Sequence, residues 1–262
     1  MVFDLRIPEK WEELSVSNIL YIGKYWQSWQ LMIVNKISLR KAKAMLFIEL
    51  SGIKSKIRQK ELMEALANIH PSTGVNVLDL TEFIFKDFEL TKNLIPEIKL
   101  PNGIIYCGPS DKISNISIDE FTFAFSCYTQ WHATNQEHYL DKLAGILYRP
   151  LSADFDVTGI KREPFNNNLI AKHEAVFRDL DDGYKNAIYL FFKSCMEFLN
   201  KKYDTVFNQK GESGSTSSFK DIVIEMSGDK FGTFEQTKQE NLYIVLDELN
   251  RVILQNQKAN RK

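Results

Sequence analysis

Cysteine is scarce in this chain: Cys107, Cys127 and Cys195 are the only three in 262 residues. They lie far apart, without CxxC spacing and in apolar surroundings, which argues against a disulfide framework and a thiolate zinc set and reads as buried, reduced thiols. Long apolar runs are missing as well, since none approaches the roughly 20 residues that a membrane-spanning helix needs. The opening MVFDLRIPEKWEEL lacks the basic-then-apolar layout of a signal peptide, so the cytoplasm is the expected location. There the Asn115-Ile116-Ser117 sequon would not meet the glycosylation machinery. Nor is there an excess of one charge: 33 basic residues stand against 34 acidic ones, a net charge of −1. A global attraction to nucleic acid or to an anionic membrane is therefore not expected.

The common catalytic signatures are absent too. No GxSxG, Walker, GxGxxG or HExxH pattern occurs, which removes the usual routes to nucleophilic, nucleotide and metalloprotease chemistry. One string, Asp154-Phe155-Asp156-Val157-Thr158, matches the DxDxT core of the haloacid-dehalogenase phosphatases, in which the first aspartate ends a buried parallel strand. Here the preceding YRPLSA contains a proline and no apolar run, so an acidic turn is the better description. His132 and His138 stand six apart, on different faces of any helix, with no cysteine or carboxylate to complete a zinc set. No catalytic residue, metal or cofactor is expected.

What is present is helical patterning. With 44% hydrophobic and 26% charged residues, the chain is an ordinary globular sequence long enough for a substantial core. Ile19, Leu20, Ile22, Trp26, Trp29 and Ile33 recur at helical spacing from Ser17 to Val34, with Ser15 or Ser17 as cap. Ser38 opens a second helix that runs to Gly52, and residues 58–70 continue in the same style. The segment LTEFIFKDF is apolar but of undefined type, whereas IPEIKLPNGIIYCG alternates about a Pro-Asn-Gly turn and reads as a β-hairpin.

Residues 117–150 hold the most complete signals. Ser117 and Glu120 form a capping-box pattern, with Ile116 and Phe121 placed as a staple. Thr134 and Glu137 repeat the box for a second helix that turns Leu140, Leu143, Ala144 and Leu147 inward and stops at Pro150. After the irregular link 151–168, a long helix is expected over Asp182–Phe207, with Tyr184, Ile188, Phe191, Cys195, Phe198, Leu199 and Tyr203 on one stripe. NQKGESGSTSS reads as a flexible linker. Beyond it come a short helix at Phe219–Met226, a third capping box at Thr233 and Gln236, and a last helix before the basic tail QNQKANRK.

The expected fold is therefore mainly α: a multi-helix body over 1–207 with a small β-hairpin near 98–106, a linker at 208–218, and a tethered C-terminal helical module over 219–262. Two basic clusters, Arg40, Lys41 and Lys43, then Lys54, Lys56, Arg58 and Lys60, would give a modest phosphate-binding surface if they shared a face, but a solvated helix face is the better description, since the first sits at i, i+1 and i+3 and the second is spread around the turn. Trp26 and Trp29 read as core rather than as a stacking platform. The candidate partner-binding residues are the aliphatic stripe Leu242, Val245, Leu246, Leu249 and Ile253. It is too short for an independent coiled coil but long enough to dock into a groove, either a partner's or the protein's own.

Three stretches, IPEKWEELSVSNIL, NQEHYLDKLAGILYRP with the following REPF, and FGTFEQTKQENLYIVLDEL, resemble a family of proteins encoded in the tail-gene regions of tailed phages and prophages. The resemblance covers most of the chain in order and rests on packing and capping patterns. It implies a non-enzymatic assembly protein, tail assembly chaperone-like, whose partner is a long helical tail protein such as the tape-measure protein. A structural virion component, a tail or connector protein with the hairpin as an oligomer contact, is the alternative, and a hydrolase is a distant third. A homo-oligomer stays open, and neither a membrane nor nucleic acid is an expected partner.

Overall fold

The computed structural model describes residues 5–68, 77–86, 88–154, 161–207, 227 and 231–259. Among them are eleven α-helices and a small antiparallel sheet. No helix among the described residues is long and apolar enough to cross a membrane.

Helix α1 (Val16–Val34) starts where Ser15 closes a capping box. Its hydroxyl accepts from the Asn18 amide at 3.2 Å, and the Asn18 side chain accepts from the Ser15 amide at 3.0 Å. Helices α2 (Arg40–Leu50) and α3 (Lys56–Asn68) follow. The chain leaves α2 through Gly52 at φ +67°, the left-handed exit that glycine takes without steric cost. Ser38 is not the helix cap. Its hydroxyl meets only the Arg40 amide, and the Leu39 cap position makes no side-chain bond. The segment LTEFIFKDF holds the end of a 3-10 turn at Val77–Thr81 and the one-turn helix α4 (Phe83–Lys86).

The hairpin forms as patterned. Strand β1 (Glu97–Lys99) pairs antiparallel with β2 (Ile105–Cys107) in the register Glu97 to Cys107. A third strand, β3 (Arg149–Pro150), adds to the other side of β2. Two residues that include a proline carry no alternation to read, and proline is tolerated here because the strand lies at the sheet edge.

Helices α5 (Ile118–Thr134) and α6 (His138–Leu147) occupy the expected stretch, but their caps differ from expectation. Ser117 does cap α5, accepting from the Glu120 amide at 3.2 Å. Glu120 does not reach back, because its carboxylate is held elsewhere. The second box is not formed. Thr134 still belongs to α5 and donates to the Gln130 carbonyl, Asn135 stops that helix in the left-handed conformation at φ 54°, and Glu137 is already helical. Leu140, Leu143, Ala144 and Leu147 are buried as patterned.

Helix α7 (Ile170–Arg178) leads to α8 (Asp182–Lys202), the central helix of the body. The expected single helix to Phe207 breaks at Tyr203, after which α9 (Asp204–Phe207) makes one more turn. Helix α8 is buried on most of its circumference, from Gly183 through Leu199, as a helix surrounded by others must be. Its closest neighbour is α1. A Cβ placed on Gly23 would stand 2.2 Å from the Gly183 carbonyl oxygen, and one on Gly183 would stand 2.7 Å from the Leu20 carbonyl. The two backbones touch because both residues lack side chains.

Helices α10 (Phe234–Gln239) and α11 (Leu242–Ala259) end the described chain, α10 opening on the expected Thr233–Gln236 box. They are joined to the body by backbone. The Ile118 amide donates to the Glu240 carbonyl at 2.9 Å and the Leu242 amide to the Ile116 carbonyl at 3.0 Å. Tyr203 donates to Asp247 at 2.6 Å, and Tyr243 to the Lys112 carbonyl at 2.7 Å. Leu242, Val245 and Leu246 belong to the same core as Ile116, Phe121 and Cys195. The linker expected at 208–218 and the helix expected at 219–226 lie outside the described residues.

The Gly23–Gly183 contact generates a direct prediction. Gly23→Ala should destabilise the protein by about 1–3 kcal/mol, because the added methyl must push two helix backbones apart. Thermal and urea melts check it, and an unchanged midpoint would mean that α1 and α8 do not meet there.

Candidate functional site

Among the described residues, the most heavily built polar cluster centres on Glu120. It lies in the first turn of α5, while Arg149 comes from β3 and Arg162 from the extended segment after residue 160. All three side chains are nearly inaccessible, at 2%, 5% and 4% exposure. Arg162 Nη1 donates to Glu120 Oε1 at 2.7 Å and Arg149 Nη2 to Oε2 at 3.1 Å. The remaining donors reach carbonyls: Arg149 to Ile146 at 2.6 Å and Glu163 at 2.7 Å, Arg162 to Leu147 at 2.8 Å and Asn115 at 3.2 Å.

The geometry follows helix electrostatics. A carboxylate sits at the positive end of α5, and two guanidinium groups cover the last carbonyls of α6, its negative end. One carboxylate serves two cations, however, so the cluster carries a net positive charge. Burial draws the Arg162 guanidinium below its ordinary range, Glu120 opposes that, and the neighbouring Arg149 adds to the lowering. Phe165 packs over the Arg149 guanidinium, 5.7 Å from the ring centre.

Above the cluster opens a hollow of about 670 Å³ lined by Ser110, Asn115, Glu163, Phe165, Gln239 and Asn241 among others. A second of about 460 Å³ shares its Phe165 and Gln239 wall. There Lys238 stands 3.7 Å from Asp119, whose carboxyl burial raises above the usual range against the pull of that lysine. Gln239 of α10 lines both hollows, and Glu235 and Lys238 add to the wall of the second. The cluster is internally satisfied: both Glu120 oxygens accept charged hydrogen bonds, and the guanidinium donors are spent on that carboxylate and on backbone carbonyls.

Other ionisable groups are likewise engaged internally. Asp141 lies 3.1 Å from Lys185, Tyr106 meets His173 at 3.3 Å, and Tyr189 meets His132 at 3.0 Å. Burial lowers both of those histidines below their ordinary range. It raises the three thiols, Cys127 to about 11. Among the described residues no group of three histidine, cysteine or carboxylate side chains could hold a metal ion.

The residues singled out from sequence are scattered. Asp154 lies on an exposed turn after the two-residue antiparallel β3, and Asp156 falls outside the described residues. Trp26 and Trp29 are buried against Phe88 and Phe85. Lys43 leaves its basic cluster to pair with Glu82, while Arg40 and Lys41 are exposed. Of the partner-binding stripe, Leu242, Val245 and Leu246 are fully buried in the protein's own core, and only Leu249 and Ile253 are partly open. These first three face inward and are not available to another chain in this structure. Sequence reasoning missed Arg149 and Arg162, which stand 29 and 42 positions from Glu120 with no periodicity to link them. The one usable hint was an acidic residue at a capping position.

No family model, curated protein or solved structure matches the chain.

The cluster separates two substitutions that the sequence pattern treats alike. Glu120→Ala strands two buried guanidinium groups and should cost about 3–5 kcal/mol, whereas Ser117→Ala removes one cap and should cost about 0.5–2 kcal/mol. Denaturant unfolding of each single variant measures the gap. A Glu120→Ala cost no larger than that of Ser117→Ala would mean that the cluster holds nothing together.

Proposed function

We propose that this protein is a non-enzymatic assembly factor of tailed phages, chaperone-like, which shields a long helical tail component such as the tape-measure protein in the host cytoplasm until polymerisation. The observation that supports a non-catalytic reading is the state of Glu120. The buried carboxylate of Glu120 has both oxygens bound by guanidinium groups, an arrangement that fixes helix ends and does not present an open acid or base to a ligand.

The phage assignment rests on the family resemblance, whose stretches coincide with structural joints. Residues 7–20 carry the Ser15 capping box, 135–150 carry α6 and Arg149, 162–165 carry Arg162, and 231–249 carry the docked start of α11. A virion component is the second reading. It draws on the outer edge of β1, which has no strand partner among the described residues, with Glu97 and Lys99 exposed.

Co-expression decides between them. The tape-measure product made together with the full chain should stay soluble and co-purify with it, and the protein should be present in induced cells but missing from purified virions. A tape-measure product equally soluble without the chain would remove the chaperone reading. Recovery of the chain from washed virions would favour the structural one.

A further inference from the structure

Exposed apolar side chains occur in several places, including Ile57 on α3 and Ile244, Val252 and Leu254 on α11, but a group of them stands close together in sequence at the end of α1. Helix α1 ends with Leu31 and Val34 at 63% and 75% exposure, and Ile37 in the following turn is 55% exposed. The turn itself is defined by hydrogen bonds. The Ile37 amide donates to the Met32 carbonyl at 2.8 Å and the Lys36 amide to the Ile33 carbonyl at 3.1 Å, with Lys36 left-handed at φ 55°. That is a Schellman closure with a lysine where glycine would be less strained. The turn fixes the backbone from which Leu31, Val34 and Ile37 project.

Beside it, the start of α2 and the end of α3 enclose a groove of about 350 Å³. Its floor includes Ala44, Met63, Leu66 and Leu78, and its rim carries Arg40 and Lys41. On the α2 side the free charge is one-signed: Lys36, Arg40 and Lys41 are exposed and Lys43 is paired with Glu82, with no aspartate or glutamate from Leu14 to Ile48, while Glu61 and Glu64 lie on α3. In a chain whose net charge is −1, that is a local concentration of positive charge around exposed apolar side chains.

We propose that this corner is the partner-docking surface, and that its occupant is an amphipathic helix of another protein whose apolar stripe is flanked by aspartate or glutamate. A groove with an apolar floor accepts the i, i+3, i+4 side chains of such a helix. The rim of Arg40 and Lys41 meets its acidic flanks and rejects basic ones. The inference deepens the assembly reading, since it names the class of partner and the surface that holds it.

The probe is a synthetic peptide of about 20 residues, long enough to form a helix, with leucine at alternating three and four spacing and glutamate on both flanks. Its control carries lysine flanks. Binding to the full-length chain is read by fluorescence anisotropy, with sedimentation on phosphatidylcholine vesicles containing phosphatidylserine run in parallel. The glutamate peptide should bind. Binding should fall at least about tenfold in the double variant Arg40→Glu with Lys41→Glu, and similarly in Leu31→Ser with Val34→Ser. All four positions are exposed, so thermal melts should be unchanged. Equal affinity for the lysine peptide, full binding by either double variant, or vesicle binding lost in those variants while the peptide never binds would each overturn the proposal, the last in favour of a lipid surface. A tail partner that still co-purifies with both double variants would likewise overturn the corner while leaving the assembly reading in place.

Discussion

Two guanidinium groups sharing one carboxylate in the interior set the geometry on which the rest of this fold depends. Glu120 reaches the site only if α5 begins at Ser117, Arg149 only if the chain leaves α6 directly into β3, and Arg162 only if the segment after residue 160 runs back across both. A buried ion cluster of this kind need not add stability relative to a well-packed apolar substitute, but removing Glu120 leaves two buried guanidinium groups without a counter-charge. Its physical role here is registration. It ties the positive end of one helix to the negative end of the next and leaves the Ser117 backbone presented for Asn241 to bridge.

That bridge explains why the C-terminal helices behave as part of the body. Backbone hydrogen bonds on both sides of Ser117, together with three fully buried aliphatic side chains, make α11 a continuation of the core along its first two turns. Past Glu248 the helix becomes largely exposed. The first half of the α11 stripe is thus used internally, while Leu31, Val34 and Ile37 at the α1–α2 corner stay exposed.

How much of this was legible depends on range. Signals carried within one turn of chain read well: the Ser15 and Thr233 caps, the Gly52 exit, the Pro-Asn-Gly hairpin and the mainly helical class itself. Where a local signal competed with a tertiary one, the tertiary one won. Glu120 fits a capping box by spacing but is taken by two arginines from distant segments, and Thr134 fits a second box but is overridden by the left-handed Asn135. The stripe of α11 could be read as buried or as partner-binding, because amphipathicity names a face to be covered without naming what covers it. β3 and the arginines of the cluster had no periodic signature at all, being single residues or a pair fixed by contacts 29 and 42 positions away.

Native-state hydrogen exchange tests the central claim, that the Glu120 cluster and the bridge at Ser117 weld the C-terminal helices into one cooperative unit with the body. The amides of Ile118 and Leu242 donate to backbone carbonyls across that joint, and the Val245 amide donates to Asn241 in the first turn of α11. They should exchange with the same high protection as the amides of α8, through global unfolding. Rapid exchange of Leu242 and Val245 while α8 stays protected would show α11 detaching on its own and would contradict the account.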